Sequence, residues 1–208
     1  MDGSNEGAAA RRYHHGDLRA ALLDAAEAEL AEAGTEAFSL RKVARRAGVS
    51  HAAPAHHFRD VAGLLTALAA RGFERLGDMM DAWTDGAGPD ARDRLMAVGL
   101  AYVAFASAHT ALFRLCFGSM VPDHSDAVLK AAGDATFDRL AQGVAAVTGE
   151  PAYGPPEAMA ATYRLWAGTH GVADLLAARR MTPIADMAPA EREAVVTALL
   201  EPLMPIAG

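Results

Sequence analysis

Apolar residues recur with a helical period along most of the chain, and no segment alternates with period two over a useful length. Leu18, Leu22, Ala26 and Leu30 fall every four residues and form one apolar stripe. The spacing predicts a helix from near Asp17, which suits an N-cap or first turn, to a stop at Gly34. A second short helix follows, capped by Ser39. Leu40, Val43, Ala44 and Ala47 form its inner face, and Arg41, Lys42, Arg45 and Arg46 its outer one. Gly48 ends it. Ser50 is placed to cap a third short helix over residues 51–58, where Pro54 is tolerated because it falls in the first turn. A long helix is predicted over 60–83.

The clearest break in the chain is "DGAGPD" at 85–90. Beyond it the pattern predicts four or five helices, over 91–108, 110–117, 125–148, 156–180 and 189–204. "PDHSD", "GEPAYGPP" and "MTPIADMAP" separate them. The expected fold class is all-α: an N-terminal three-helix helix-turn-helix unit and a larger helical domain. The expected divisions are a loose tail at 1–12, the helix-turn-helix unit at 13–60, a connecting helix at 61–84 and a C-terminal domain at 91–208.

Composition adds limits. With 208 residues, 52% hydrophobic and 22% charged, the chain can bury a real core and is globular. The single cysteine, Cys116, rules out an intrachain disulfide and argues against a cysteine-based metal site. No N-terminal run reads as a signal peptide, and no stretch of 20 residues is free of charges. A cytoplasmic protein without a membrane partner is expected.

Charge changes the picture more. The formal net charge is −7, yet residues 1–60 hold 8 basic and 9 acidic residues against 11 and 17 in the remainder. From Ser39 to Arg59 there are five basic residues (Arg41, Lys42, Arg45, Arg46, Arg59), three histidines (His51, His56, His57) and no acid. The acids of the first part cluster just before, at Asp24, Glu27, Glu29, Glu32 and Glu36. The local patch therefore says more about a partner than the total does.

The joint "AGVS" at 47–50 has the chemistry of a helix-turn-helix. Ala44 is small enough for a close crossing, Gly48 supplies a positive φ, Val49 plugs the angle, and Ser50 serves the next helix. Such a unit can lay its second helix in the major groove of DNA. The competing reading is an ordinary helical corner; the acid-free basic surroundings favour DNA.

The segments "YHHGDLRAALLDAAEAELAEAG", "SLRKVARRAGVSHAAP" and "HHF" closely resemble the DNA-binding domain of the tetracycline-repressor (TetR) family of bacterial transcription regulators, over residues 13 to about 65. The stretch from Trp166 to Gly171, "WAGTHG", resembles the Trp-x-x-x-His-Gly signature of one TetR-type C-terminal class. The resemblance implies a homodimer, a palindromic double-stranded DNA operator, and a small-molecule pocket in the C-terminal domain; members usually repress. Two positions depart from the pattern. Such members read Tyr-x-His-Phe where this chain has Ala55-His56-His57-Phe58, and a basic residue often stands where this chain has Val61. Both changes remove phosphate contacts, so a helical ligand-sensing or protein-interaction dimer with weak or lost DNA binding is the alternative reading.

Within the DNA-binding set, Ser39, Arg41, Lys42, His56 and His57 are expected at phosphates or orienting the helix. Ser50 caps it, and His51, Ala52 and Ala53 are expected at base edges. Arg45 and Arg46 read equally as DNA contacts and as a solvated helix face. Arg11 and Arg12 read equally as a minor-groove arm and as a basic tail.

In the C-terminal domain the candidate pocket liners are Tyr102, Phe105, His109, Phe113, Cys116, Phe117, Phe137, Trp166 and His170, around an apolar or amphipathic effector. For each of them plain core is the competing reading. Cys116, in "LFRLCFG", reads as an inert buried thiol unless its pKa is lowered. Leu175, Val196, Leu199, Leu200 and Leu203 are the expected dimer face. The helix carrying Trp166 is apolar nearly all round, as a helix buried on two sides would be.

An enzyme is the main rival class. His51, His56 and His57 are spaced by five and one, which scatters them around a helix, and no nucleophile elbow, phosphate loop or His-Glu-x-x-His motif occurs. No catalytic residue, metal or cofactor is expected.

Overall fold

The structure, a computed structural model, describes residues 18–206. The tail, the Arg11–Arg12 pair and the Asp17 cap expected from the sequence lie outside the described residues. Among the described residues there are ten α-helices, one 3-10 turn and no strand. The helices are α1 (Leu18–Ala33), α2 (Leu40–Arg46), α3 (Ala53–Phe58), α4 (Val61–Gly86), α5 (Ala91–Ala108), α6 (Thr110–Gly118), α7 (Ala127–Thr148), α8 (Ala160–Ala177), α9 (Thr182–Ala185) and α10 (Pro189–Leu200); the 3-10 turn is Glu201–Leu203.

Local chemistry sets most boundaries. Gly34 and Gly48 close α1 and α2 with φ of 68° and 69°. Aspartates start three long helices. Asp60 accepts the Gly63 N–H at 2.8 Å, Asp90 those of Arg92 and Asp93, and Asp126 those of Val128 and Leu129. That is why α7 begins at Ala127 and not at 125. α8 is shorter than expected, because "GPP" at 154–156 forms turns before it and Arg179, with φ 53°, stops the chain after it.

α4 is the spine. It packs on α1, α5, α6 and α7, while α8 and α10 cover α5 from the other side. One continuous core runs from Leu22, Leu30 and Val43 through Leu64, Leu68 and Leu76 to Phe105, Phe113 and Leu200. A smaller cluster, with Leu95, Leu140, Val144, Leu165 and Met204, closes the far end. Among the described residues no single helix is long and apolar enough to cross a membrane; the apolar run over α5 and α6 is bent by 110° at His109.

Two parts of the expected dimer face belong to this core instead. Val196 and Leu200 are 2% and 0% exposed, because α10 turns them onto α5, where Leu200 fills the space beside Gly99. Leu203 is half-buried over Gly168; a Cβ there would come within 2.2 Å of a Leu203 methyl. Leu175 and Leu199 are exposed.

Candidate nucleic-acid interface and ligand cavity

The helix-turn-helix is built from α2 and α3. Val43 and Ala44 are fully buried and Val49 packs against the core, so the two helices cross closely. Ser39 has the extended backbone of an N-cap, but its hydroxyl makes no cap hydrogen bond. Ser50 is not the cap of α3. Residues 51 and 52 form a turn, Ala52 occupies the cap position, and the Ser50 carbonyl accepts the Ala53 N–H at 3.0 Å. With Pro54 in the first turn, α3 starts two residues later than its spacing implied.

On α3, Pro54 and Phe58 face inward. Ala55, His56 and His57 are exposed, as are Ser50, His51 and Ala52 just before the helix; Ala53 is half-buried. The Arg19 guanidinium lies over the Phe58 ring at 5.2 Å and pins the helix end. His57 borders a cleft between α3 and the loop before α7, so it stands apart from the outer face that carries His56.

The carboxylates clustered on α1 explain the charge sorting. Asp24 pairs with Arg71 and Glu27 with Arg75 on α4. Glu32 pairs with Arg46 at 2.6 Å. Glu29 is 2% exposed, with Lys42 Nζ at 3.2 Å and Arg46 Nη2 at 3.6 Å. The Arg46 hydrogen bond holds the Glu32 carboxyl below its ordinary value. Lys42 and Arg46 thus brace α2 against α1. Arg41 and Arg45 are exposed and make no ion pair among the described residues. These braces join residues distant in sequence, and the charge run alone did not separate braced cations from open ones.

The joint to α4 is tight. Arg59 has φ 69° and ψ −61°, and the Asp60 N–H reaches back to the Phe58 carbonyl at 2.8 Å, which is a strained γ-turn. Gly63 permits it: a Cβ there would lie 2.0 Å from the Phe58 oxygen. One turn on, Thr66 Oγ1 accepts the Asp123 N–H at 2.9 Å, tying the loop before α7 to the start of α4. Val61 occupies the first position of α4.

In the C-terminal part, α4 to α8 border a half-open cavity of ≈ 430 Å³. Its walls carry Phe73 and Met80 from α4, Val98, Gly99 and Tyr102 from α5, and Phe117 from α6. They continue with Gly133, Asp134, Thr136, Phe137 and Leu140 from α7, and Tyr163, Trp166 and Thr169 from α8. Of the expected liners, Tyr102, Phe117, Phe137 and Trp166 are there. Phe105, His109, Phe113, Cys116 and His170 are not. Phe105 and Phe113 are 0% and 1% exposed core residues. His109 lies outside, at the bend between α5 and α6, 4.0 Å from Glu27. Burial, helped by Arg75, lowers its pKa against the pull of Glu27. Cys116 packs against Gly72, and burial pushes its thiol up to about 12, which makes it inert. His170 stands behind the wall, its Nδ1 2.7 Å from the Tyr102 hydroxyl. Burial raises the pKa of that phenol well above its ordinary value. Phe73, Met80, Thr136, Tyr163 and Thr169 were missed. A helix-period signal marks the buried side of each helix but not which buried residues border a void.

The described chain thus joins a helix-turn-helix unit to a helical body that carries an aromatic-lined cavity. The N-terminal residues 22–68 match the profile of bacterial regulatory proteins of the tetR family, and residues 95–203 match the tetracycline repressor-like C-terminal domain. The chain belongs to the TetR family of transcriptional regulators.

A protein of unknown function from Rhodococcus sp. RHA1 has 38% identity over 92% of this chain and 96% of its own, with a TM-score of 0.73. The TetR family transcriptional regulator PfmR from Thermus thermophilus has 17% identity over 88% and 96%, with a TM-score of 0.64. The fatty acid degradation regulator FadR from Bacillus halodurans has 15% over 89% and 94%, with a TM-score of 0.66. These last two share the fold. No curated protein matches the chain.

Proposed function

We propose that the protein is a ligand-responsive repressor that binds a palindromic operator as a homodimer and is released by a small molecule. The observation that carries this reading is the exposed outer face of α3 and its approach: Ser50, His51, Ala52, Ala55 and His56, with no acid among them. Small side chains there let the helix enter a groove, and alanine can meet a thymine methyl. Ser39, Arg41 and His56 are the phosphate candidates. Lys42 is a weaker one, because Glu29 holds it.

A second copy fits the flank of α8 and α10. Leu175 and Leu199 are 44% and 37% exposed there. Gly171, on the same helix as Leu175, has open space where its Cβ would be. A glycine inside a helix costs about 1 kcal/mol relative to alanine, and nothing in its own chain offsets that. A closely packed partner helix would.

The cavity reaches α3 by a short route. Phe117 ends α6 at the cavity wall, the loop after it carries Asp123, and Asp123 holds Thr66 two turns from Arg59. A ligand that shifts Phe117 or the start of α7 therefore moves the base of the DNA-binding unit. Two heads that no longer match half-sites about one helical turn apart would lose affinity.

The test is fluorescence anisotropy with DNA from the promoter beside its gene, across a salt series. Tight, steeply salt-dependent binding to one palindrome is expected. Weak, sequence-blind binding would favour the second reading, a ligand-sensing dimer without an operator, which the absence of a tyrosine at Ala55 and a base at Val61 supports.

A further inference from the structure

We infer that the cavity is completed by a second copy of the chain, which seats on α8, covers Tyr163 and Trp166 and shuts the mouth beside them. This rests on reading α8 as part of a dimer face and the cavity as the effector site.

The cavity is half-open, and its aromatic wall comes to the surface on α8. Tyr163 and Trp166 are 43% and 38% exposed, and each leans on Phe137 of α7, with ring centroids 6.1 and 5.5 Å apart. Tyr163 also starts a row along α8 at every fourth residue: Tyr163, Ala167, Gly171 and Leu175. Such a row is one ridge of a helix. All four are uncharged and none is buried. Two large ends flank two small middle residues, so the ridge is a saddle that another helix can cross closely. The glycines of α8 make the same point. Gly168 already meets Leu203 of its own chain, whereas Gly171 faces open space. A helix crossing at Ala167 and Gly171 lies against Tyr163, and Tyr163 borders the cavity.

The charges on this face fit a second copy better than another partner. Arg164 and Asp174 are the only charged residues of α8, and both are exposed beside the ridge. Neither makes an ion pair among the described residues. An acidic partner would be repelled by one of them and a basic partner by the other. A face with one unpaired charge of each sign is complementary to itself, as an isologous two-fold interface must be. The consequence is linkage. A ligand in a cavity shut by the partner holds the two subunits together. Operator release then follows from heads drawn out of register in an intact dimer, not from dissociation to monomers.

The test uses the full chain. It has two tryptophans, so Trp83→Phe leaves Trp166 as the only one. Analytical ultracentrifugation fixes the concentrations at which monomer and dimer dominate, and acrylamide quenching of Trp166 is read at each. The quenching constant is expected to fall at least about twofold in the dimer. Leu175→Glu and Ala167→Glu should each give a monomer with an unchanged melt, because both positions are exposed. Nile red, an uncharged apolar dye, should bind the dimer saturably and these monomers at least about tenfold more weakly. Saturating dye should lower the dimer dissociation constant.

Equal quenching in monomer and dimer would overturn the inference and leave the dimer reading standing. So would a dimer that survives both substitutions, dye that binds the monomeric variants as tightly as the parent, or a dimer that takes up no dye. A chain that stays monomeric at every concentration would overturn the inference and the dimer reading together.

Discussion

The DNA-binding end and the cavity end of this molecule treat polar groups in opposite ways. In the first, α1 offers four carboxylates, and each meets a cation from a neighbouring helix: Asp24 with Arg71, Glu27 with Arg75, Glu29 with Lys42 and Arg46, Glu32 with Arg46. In the second, six aromatic residues line a half-open cavity, and the buried Thr169 hydroxyl beside it has no hydrogen-bond partner. The ligands proposed for the two ends differ accordingly. A surface for a polyanion must keep its own carboxylates occupied, or they would repel the phosphates. A cavity for one small molecule needs few polar groups.

The largest break in this comparison should come at the joint. Gly63→Ala places a Cβ against the Phe58 backbone oxygen, which cannot move aside as a flexible side-chain end could. A loss of about 3 kcal/mol is expected in chemical denaturation, with the head affected first in hydrogen exchange.

Glu29→Gln probes the braces themselves. It should cost about 2 kcal/mol, because a buried charge-assisted contact is lost. Lys42 would be released toward DNA at the same time. Non-specific DNA binding should tighten and the slope of log K against log salt should steepen by about 1, read in an anisotropy titration.

Ala55→Tyr should tighten operator binding about fivefold by adding one phosphate contact, while melting stays where it was, because Ala55 is exposed. Unchanged affinity in a gel-shift titration would mean that His56 already fills the role. At the other end, Gly171→Ala should raise the helix propensity of α8 by about 1 kcal/mol within the monomer. It should also weaken self-association, which analytical ultracentrifugation against concentration would show as a larger dimer dissociation constant.

The smallest effect concerns pH. The folded-state pKa of His109 lies below its ordinary value of 6.5. Unfolded chains therefore bind that proton more readily. The contribution to stability is present above about pH 6.5 and is lost as pH falls through the folded pKa. His109→Asn should flatten that part of the stability profile in a series of melts from pH 8 to pH 5.

Much of this architecture was legible because it is local. The helix over 91–108 has the expected bounds, Gly34 is a legible helix stop from its position after an apolar periodic run, and Gly48 has the positive φ that the joint requires. The two short helices and their joint followed from "AGVS" and the faces of 40–47, and their motif carried the family. Where the local rule had a competitor, it failed. Ser50 looks like a cap, yet a turn at 51–52 and the ring of Pro54 moved the start of α3 beyond its reach.

The sequence by itself therefore determined the long helices, the helix-turn-helix joint and the family, since each depends on residues within a few positions of one another, while the short helix at Thr182–Ala185 formed inside a stretch expected as a separator. Tertiary structure alone decided which aromatic residues face a void. Phe113 and Phe117 sit four apart on one helix face, and only the second reaches the cavity. It also decided which cations are braced, because Arg71 and Arg75 find Asp24 and Glu27 across separations of 47 and 48 residues. And it left Thr169 unpartnered, a property of packing that no spacing in the sequence encodes.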